Sequence, residues 1–252
     1  MKSSNELIDG RMATLRSTAI ADTKTILQNK CLTGWTGDSI ISDLGLKGVT
    51  VAGAVQSSVK KVGSNALSYS GGNNSQISIR LNEILKPHSP YTIACWCRWN
   101  TFNYAGPWGM WGGVVPNWDE RPGIQTSATN TGTSPSKLNF NVWDGVSGNP
   151  GGASTSTTTS LNINTWYHLV FEINTGFLKI YLNGVLEGTS ATFSTSLDLW
   201  STAQIFRLAG YELTSPVVQL NGYLDEFCIF KGVLSQTEID WLYNSGNGNS
   251  LV

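Results

Sequence analysis

The fold is decided by FLKIYLNGVLE, residues Phe177–Glu187. Apolar and polar residues alternate up to the pair Asn183-Gly184, and apolar residues resume directly after it. Both central residues of a type I′ turn need a positive φ, which an Asn-Gly pair tolerates best. Since this turn matches the twist of the strands on either side of it, the stretch predicts an antiparallel β-hairpin.

The sequence on both sides of this hairpin is also typical of strands. The chain has 252 residues with 27 glycines and 10% aromatics, a composition that favours strands and turns over helices. Short apolar or alternating runs separated by Gly-rich turns predict one all-β domain, a two-sheet antiparallel jelly-roll sandwich. The further predicted strands are Val49–Val55, Ala66–Tyr69, Gln76–Leu81, Tyr91–Trp99, Lys137–Trp143, Trp166–Ile173, Ile205–Ala209 and Gly222–Phe230.

One short helix is predicted near the end of the sequence, beginning at LSQTEI. Ser235 can cap the helix N-terminus, and Glu238 three residues later can close a capping box. We expect a helix over Ser235–Asn244 that packs Ile239 and Leu242 on an edge of the sandwich.

Residues 1–24 differ in character from the sequence that follows. Leu7, Ile8, Met12 and Leu15 recur at steps of three and four, which is a weak helical stripe. The segment is too short and too weakly apolar to fold alone. We therefore expect an N-terminal arm, either frayed or ordered against a partner, followed by a jelly-roll domain over residues 25–252.

Several stretches in register carry a family resemblance. They are KVGSNALSYSGGNNSQISI (Lys61–Ile79), YTIACWCRW (Tyr91–Trp99), TWYHLVFEINTGFLKIYLNGVLEG (Thr165–Gly188), FRLAGYEL (Phe206–Leu213) and NGYLDEFCIFKGVLSQTEIDWLYNSGNG (Asn221–Gly248). Their order resembles the laminin-G/concanavalin A-like jelly-roll superfamily, most closely the versions found in bacteriophage structural proteins. The resemblance extends over roughly residues 25–248. It implies two antiparallel sheets packed face to face and a mostly non-catalytic family.

The charge balance argues against nucleic acid as a partner, and the hydropathy pattern argues against insertion into a membrane. Lys and Arg number 16 against 17 Asp and Glu, so the chain has no basic footprint for nucleic acid. No apolar stretch approaches the ~20 residues of a membrane span, and the N-terminus has no apolar run of signal-peptide length. Ser, Thr and Asn number 28, 25 and 21, so the polar surface is mostly uncharged. We expect synthesis in the host cytoplasm and no insertion into a membrane.

The cysteines and the acidic residue of the GYLDEF stretch are the candidate metal ligands. Cys95 and Cys97 lie two residues apart, hence on one face of a strand, while Cys31 and Cys228 are distant in sequence. We expect buried free thiols, with no metal and no cofactor. Asp225 lies where some jelly rolls of the superfamily use an aspartate for structural calcium. One carboxylate does not establish such a site, and an Asp that accepts backbone N–H bonds is the favoured alternative.

The sequence lacks the pattern expected of a polysaccharide-cleaving jelly roll. Such enzymes alternate two or three carboxylates on one strand, so that acid and nucleophile face one groove. Here the pairs Asp119-Glu120 and Asp225-Glu226 are adjacent, and on a strand their side chains would point to opposite faces. His168 matches the superfamily's strand histidine and is expected to be a packing residue. We therefore expect a non-enzymatic protein.

The segment between residues 102 and 121 is the richest in aromatic residues. Its candidate contact residues are Tyr104, Trp108, Trp111, Trp118 and Arg121. Three interpretations stay open, namely core filling at the end of the sandwich, a protein interface, and a glycan site. Flat aromatic rings beside polar groups suit a sugar because rings stack on sugar C–H faces while polar groups bind hydroxyls.

These observations lead to two functional hypotheses. The first is a virion structural or surface protein, a capsid decoration, tail or fibre component that binds other virion proteins and copies of itself. In this hypothesis the arm holds the protein on the particle, and host-surface adhesion can accompany attachment. The alternative is a carbohydrate-binding lectin module that recognises a cell-surface glycan. Fold alone does not decide between them, since one sandwich carries many functions.

Overall fold

The computed structural model describes residues 22–39, 44–45, 50–52, 54–71, 76–80, 90–111, 122–144, 152–174, 176–192, 205–210 and 219–252. They form two antiparallel β-sheets and two short helices, which confirms the predicted all-β sandwich. Over these ranges, no helix has the length and apolar character needed to cross a membrane. The four apolar residues predicted to attach the arm, Leu7, Ile8, Met12 and Leu15, lie outside the described residues.

The strands match the predicted runs closely, and further short ones lie between them. In chain order they are β1 (Cys31–Trp35), β2 (Leu44–Gly45), β3 (Thr50–Ala52), β4 (Val55–Ser57), β5 (Ala66–Ser70), β6 (Gln76–Arg80), β7 (Tyr91–Asn103), β8 (Trp108–Trp111), β9 (Pro122–Ala128), β10 (Thr131–Gly132), β11 (Leu138–Asp144), β12 (Ala153–Ser156), β13 (Tyr167–Asn174), β14 (Phe177–Leu182), β15 (Val185–Thr189), β16 (Ile205–Leu208) and β17 (Asn221–Lys231).

Two sheets divide these strands. The ten-stranded sheet has the order β15-β14-β13-β7-β17-β1-β2, with β5 also paired to β17, β4 to β5 and β10 to β7. The seven-stranded sheet has the order β12-β11-β9-β8-β16-β6-β3. Both orders combine strands that are consecutive in sequence, such as β13 and β14, with strands that are far apart, such as β7 with β17 and β8 with β16.

The predicted hairpin joins β14 to β15 by a two-residue turn. Asn183 has φ 51° and Gly184 has φ 83°, the pair of positive angles that a type I′ turn requires. The adjacent Leu182 and Val185 face each other across the turn. The Gly184 carbonyl accepts a hydrogen bond from Gln236 Nε2 at 2.8 Å, so the turn is also fastened to the C-terminal helix.

The core lies between the two sheets and is centred on a cluster of aromatic rings. The Trp108 ring stacks on Phe206 at 5.4 Å between centroids and meets Phe140 and Phe171 edge-on at 5.7 and 5.5 Å. All four side chains are buried. Offset and edge-to-face contacts of this kind add to the stabilisation that burial of their area provides.

A second apolar cluster covers the outer face of the ten-stranded sheet. It is formed by α1 (residues 22–30), by α2 (Gln236–Tyr243) and by Leu251, packed on β7, β13, β14 and β17. Ile239 and Leu242 of α2 contact this face. The predicted packing on a sandwich edge is therefore wrong, because these four strands lie inside the sheet order.

The helix α1 runs across the predicted boundary between arm and domain. The jelly-roll domain was expected to begin at residue 25, whereas residues 22–30 form one helix across that boundary. Leu27 is fully buried in the outer cluster, and Gln28 Nε2 donates to the Leu251 carbonyl at 2.6 Å. This helix is thus part of the folded domain.

The predicted capping box of α2 is present. Ser235 Oγ accepts from the Glu238 backbone N–H, and the Glu238 carboxylate accepts from the Ser235 backbone N–H at 2.7 Å. The helix ends at Asn244, which adopts a left-handed conformation with φ 46°.

All four cysteines are free thiols, and Cys95, Cys97 and Cys228 are buried as predicted, whereas Cys31 is half-buried. Cys95 and Cys97 both lie in the core between the sheets, and burial raises their pKa well above the ordinary range. Thiols of this kind are unreactive small hydrophobes. Among the described residues, no group of three or more His, Cys, Asp or Glu side chains is arranged to hold a metal ion.

Candidate functional site: the outer face of the seven-stranded sheet

The outer face of the seven-stranded sheet carries the polar side chains of its strands. Ile124, Phe140 and Phe206 point into the core. Side chains alternate along a strand, so Gln125 and Arg207 point to the opposite, outer face. The two described clusters of buried apolar residues lie elsewhere, between the sheets and on the ten-stranded sheet.

One cross-strand row organises this outer face. The register pairs Arg207 with Gly109, Gly109 with Gln125, Gln125 with Asn141, and Asn141 with Ser154. We call this row the polar trough. Cross-strand partners share a face of the sheet, so the four side chains form a line with a gap at the glycine.

Burial deepens steadily from one end of the polar trough to the other. Ser154 is exposed and Asn141 is half-buried. Gln125 is 8% exposed and Arg207 is 1% exposed. The trough is therefore open to solvent at β12 and most buried at β16, an interior strand on which Arg207 also pairs with Ser78 of β6. Gly109, between its two deepest members, contributes no side chain to fill the space.

Arg207 is a buried cation without a counter-charge in the described structure. Its Nε and Nη1 atoms are buried and have no hydrogen-bond partner. The ion pairs found among the described residues, Lys30–Glu238 and Lys179–Glu172, lie elsewhere. Burial lowers the pKa of Arg207 to about 10, so the guanidinium stays charged at neutral pH.

Gln125 supplies the complementary group. Its Oε1 atom is buried and accepts no hydrogen bond. Buried polar atoms are normally satisfied, and an unsatisfied pair of donor and acceptor groups in one row is therefore an informative exception. Together the guanidinium donors and the amide acceptor can bind a ligand that offers both an anionic or neutral oxygen and a hydroxyl.

Carboxyl groups are scarce on the strands of this sheet. The strands of the seven-stranded sheet contain a single acidic residue, Asp144, at the end of β11. Hydrolysis of a glycosidic bond ordinarily needs two carboxyl groups that flank the bond. These strands alone cannot supply that pair.

The aromatic segment predicted as a contact surface is only partly described. Trp108 is wrong as a contact residue, because its ring fills the core between the sheets, as the core-filling alternative expected. Tyr104 is 52% exposed and has φ 64°, at the sandwich end just after β7. The backbone of Trp111 belongs to β8, but its side chain lies outside the described structure, as do Trp118 and Arg121 entirely.

His168 and Asp225 belong to the opposite, ten-stranded sheet. The His168 ring is buried against Trp96 at 5.1 Å and Tyr243 at 5.9 Å, which confirms the predicted packing role. The Asp225 carboxylate accepts the backbone N–H groups of Lys61 at 2.7 Å, Val62 at 2.9 Å and Glu226 at 2.9 Å. This is the favoured alternative to a calcium ligand.

The sequence analysis missed Arg207, Gln125 and Asn141 as site residues. A local signal existed for Arg207 and Asn141, which are polar residues at alternate positions of apolar strands, but not for Gln125, which begins the polar run Gln125–Ser127. Alternation predicts only that such a residue points away from the core. It does not show that the three strands are neighbours in the sheet, which depends on the long-range order of β16, β8, β9 and β11.

Comparisons with known proteins agree with this architecture. Domain 4 of AbnA, an extracellular GH43 arabinanase from Geobacillus stearothermophilus solved with arabinotriose, matches with TM-score 0.60 and 17% identity, over 87% of this chain and 98% of that one. The binding domain of botulinum neurotoxin DC, solved with rat synaptotagmin II, matches with TM-score 0.58 and 17% identity, over 87% of this chain and 52% of that one.

A botulinum neurotoxin type C structure, described as depending on two ganglioside molecules for cell entry, matches with TM-score 0.60 and 17% identity. The match covers 88% of this chain and 52% of that one. This chain therefore spans about half of the toxin chains. Curated protein sequences give no match.

A model of the concanavalin A-like lectin/glucanases superfamily matches residues 71–240, which include most of the strands of both sheets. The match agrees with the resemblance noted in the sequence. The chain belongs to the concanavalin A-like lectin/glucanase superfamily.

Proposed function

We propose that this protein is a non-enzymatic carbohydrate-binding domain and that a saccharide lies along the polar trough. The observation that carries the proposal is the row of Arg207, Gln125 and Asn141 on the outer face, with unsatisfied polar atoms at its deep end. The solved neighbours that carry arabinotriose or depend on gangliosides support a glycan as the ligand class.

The hydrogen-bonding groups of the trough suit sugar hydroxyls. A hydroxyl both donates and accepts, and the side-chain amides of Gln125 and Asn141 also offer both functions. Gly109 adds no side chain between Gln125 and Arg207, and a glycine in a strand interior often marks a place where a ligand approaches the backbone closely. The few polar groups are fixed on strands, which hold them more rigidly than loops would.

The other broad sheet surface is already occupied. The helices α1 and α2 pack on the outer face of the ten-stranded sheet and bury Leu27 and Ile239 there. A ligand that binds a sheet face of this sandwich has the seven-stranded sheet available. The exposed ring of Tyr104, at the sandwich end, is a further surface on which a sugar can stack.

The non-enzymatic part of the proposal rests on the same residues. Binding needs donors and acceptors, which the trough supplies, whereas glycoside hydrolysis needs paired carboxyl groups. Asp225 and Glu238, both buried acids, are engaged on the ten-stranded side by backbone N–H groups and by the capping box.

A glycan array probed with the labelled full chain tests the proposal. We expect a defined set of oligosaccharides to bind, and binding to fall at least about tenfold in the double variant Gln125→Ala/Asn141→Ala. The matched control is Gln56→Ala, which removes an amide from β4 in the other sheet and should leave affinity unchanged. The proposal fails if no saccharide binds or if both variants lose binding equally.

The virion role predicted from the sequence remains a second proposal. It is supported by the position of α1, which docks on the ten-stranded side, away from the trough. An arm that precedes residue 22 and binds other virion proteins or copies of the chain would therefore leave the trough free. Deletion of residues 1–21 should leave the domain folded and abolish its co-purification with particles. Undiminished incorporation would contradict the attachment role of Leu7, Ile8, Met12 and Leu15.

A further inference from the structure

We infer that the polar trough selects an acidic saccharide and that Arg207 binds its carboxylate at the most buried position. This inference rests on the proposed function and adds the chemical class of the ligand. It is carried by two groups of one cross-strand row, the buried Nε and Nη1 donors of Arg207 and the buried Oε1 acceptor of Gln125, none of which has a hydrogen-bond partner.

The buried guanidinium of Arg207 lacks the partners that a buried charge ordinarily has. A buried charge is normally paired or fully hydrogen-bonded, because an unpaired one loses its hydration without compensation. Arg207 is 1% exposed, and two of its three nitrogens have no partner. Since Arg207 has already lost its hydration in the free protein, an anion that reaches it gains charge-assisted hydrogen bonds without that desolvation penalty.

Solvent exposure differs among the side chains of the trough. The trough is exposed at Ser154, half-buried at Asn141 and nearly closed at Gln125. Gly109, which lies between Arg207 and Gln125 in the row, adds no side chain of its own. In this inference the ligand enters from the exposed end and directs its terminal group at Arg207.

The combination of the Arg207 donors with the Gln125 acceptor favours a carboxylate on a sugar over a simple anion. The planar guanidinium matches the two oxygens of a carboxylate. Gln125 Oε1 can only accept, so it repels an anion and requires a donor such as a hydroxyl. An acidic sugar carries both groups within one ring, a carboxylate for Arg207 and hydroxyls for Gln125. Inorganic sulfate, which carries no proton at neutral pH, would satisfy the arginine alone.

Matched acidic and neutral probes test the inference on the wild-type full chain. Trigalacturonic acid is compared with its carboxyl-reduced form, and 3′-sialyllactose with lactose, by isothermal titration calorimetry. We expect at least one acidic member to bind about tenfold or more tightly than its neutral counterpart, the effect of one charge-assisted contact. The preference should weaken as salt increases, since part of it is electrostatic.

Variants then assign the preference to Arg207. Arg207→Met should lower the affinity for each preferred acidic member to about that of its neutral counterpart, and so remove the acidic preference. Its melting temperature should equal or exceed that of the wild type, because it replaces an unpaired buried charge by an apolar chain. The matched control Arg98→Met removes an arginine from the ten-stranded sheet, where Nη2 donates to Asn164 Oδ1, and should keep the preference.

Each alternative result has a separate meaning. If acidic and neutral members bind equally, the inference is overturned while the proposed glycan function stands. If inorganic sulfate or phosphate competes as well as the acidic sugar, the site is a simple anion site and the inference is overturned. If no saccharide of any kind binds, the proposed function itself fails. A wild-type acidic preference supports the inference even if Arg207→Met does not fold.

Discussion

Lys30 Nζ lies 2.6 Å from Glu238 Oε1, and this ion pair joins α1 to α2. The other oxygen of the same carboxylate accepts the Ser235 backbone N–H at 2.7 Å and closes the capping box. Burial acts to raise the pKa of Glu238, but hydrogen bonds from Lys30 and Ser235 outweigh it and hold that pKa below its ordinary value. The two helices therefore form one layer on the ten-stranded sheet.

Truncation of Leu27 should destabilise the whole domain. Leu27 is fully buried in that layer, while its neighbour Ile26 is 48% exposed. We expect Leu27→Ala to lower the free energy of unfolding by about 2–5 kcal/mol and Ile26→Ala to change it by about 0.5 kcal/mol or less. Urea unfolding followed by tryptophan fluorescence measures both. Equal effects of the two substitutions would show that α1 is not docked through Leu27.

Valine at Gly184 should be more destabilising than valine at Gly232. The two glycines have nearly the same backbone angle, φ 83° and φ 82°. A Cβ at Gly232 would meet nothing within 4 Å, whereas a Cβ at Gly184 would lie 3.2 Å from Tyr243 Cδ1. Gly232→Val should therefore cost about 1–2 kcal/mol for the left-handed backbone alone, and Gly184→Val should cost more. Thermal melting curves with the same midpoint for both variants would contradict the docking of the turn on α2.

The buried imidazole of His168 should make the domain less stable in acid. Burial lowers the pKa of His168 to about 3 from its ordinary value of 6.5, so the folded chain keeps this ring neutral. Below pH 6.5 the unfolded chain binds a proton that the folded chain refuses, and stability is lost as the pH falls towards 3. Relative to His168→Phe, the wild type should lose about 2 kcal/mol between pH 7.5 and pH 5. The free energy of unfolding of both proteins is measured by urea titration at each pH. If it changed with pH equally in the wild type and in His168→Phe, the prediction would be wrong.

The buried carboxyl group of Asp225 should make the domain more stable in acid than at neutral pH, the opposite of the effect of His168. Burial raises the pKa of Asp225 to about 7, against the backbone N–H bonds from Val62, Lys61 and Glu226. The folded chain therefore holds the proton more tightly than the unfolded chain, and the resulting stability is full below about pH 3.8 and lost as the pH rises through 7. The stability of the wild type relative to Asp225→Asn should fall by up to about 3 kcal/mol from pH 4 to pH 7. The same urea titrations measure this, and a rise over that interval would refute the prediction.

The elements that depend on neighbouring residues were predicted well from the sequence. The turn at Asn183-Gly184 and the capping box at Ser235 are local, because residues one to three positions apart determine them. The long strands were found because alternation and apolar runs reflect burial directly. The helix α1 was missed because the predicted arm ended at residue 24. The apolar spacing of Leu15 and Ala19 continues to Leu27, beyond that boundary, where a β-like sequence soon follows.

The candidate site was harder to predict because it is assembled across strands. Trp108 lies in a segment rich in Gly and Pro, and only the docking of the second sheet decides that its ring is buried. Arg207 is the polar residue of an apolar run, a pattern that predicts a solvent-facing side chain. Its burial in one row with Gly109 and Gln125 depends on the order of strands in the sheet. The residues near Arg207 in sequence do not determine that order.

The central claim is that a saccharide lies along the outer face of the seven-stranded sheet. The most direct test is to map amide chemical shifts of the ¹⁵N-labelled chain during titration with the tightest-binding oligosaccharide from the array. The largest shifts should fall on β9, β11 and β16, around Gln125, Asn141 and Arg207. Shifts confined to α1, α2 and the ten-stranded sheet would contradict the account.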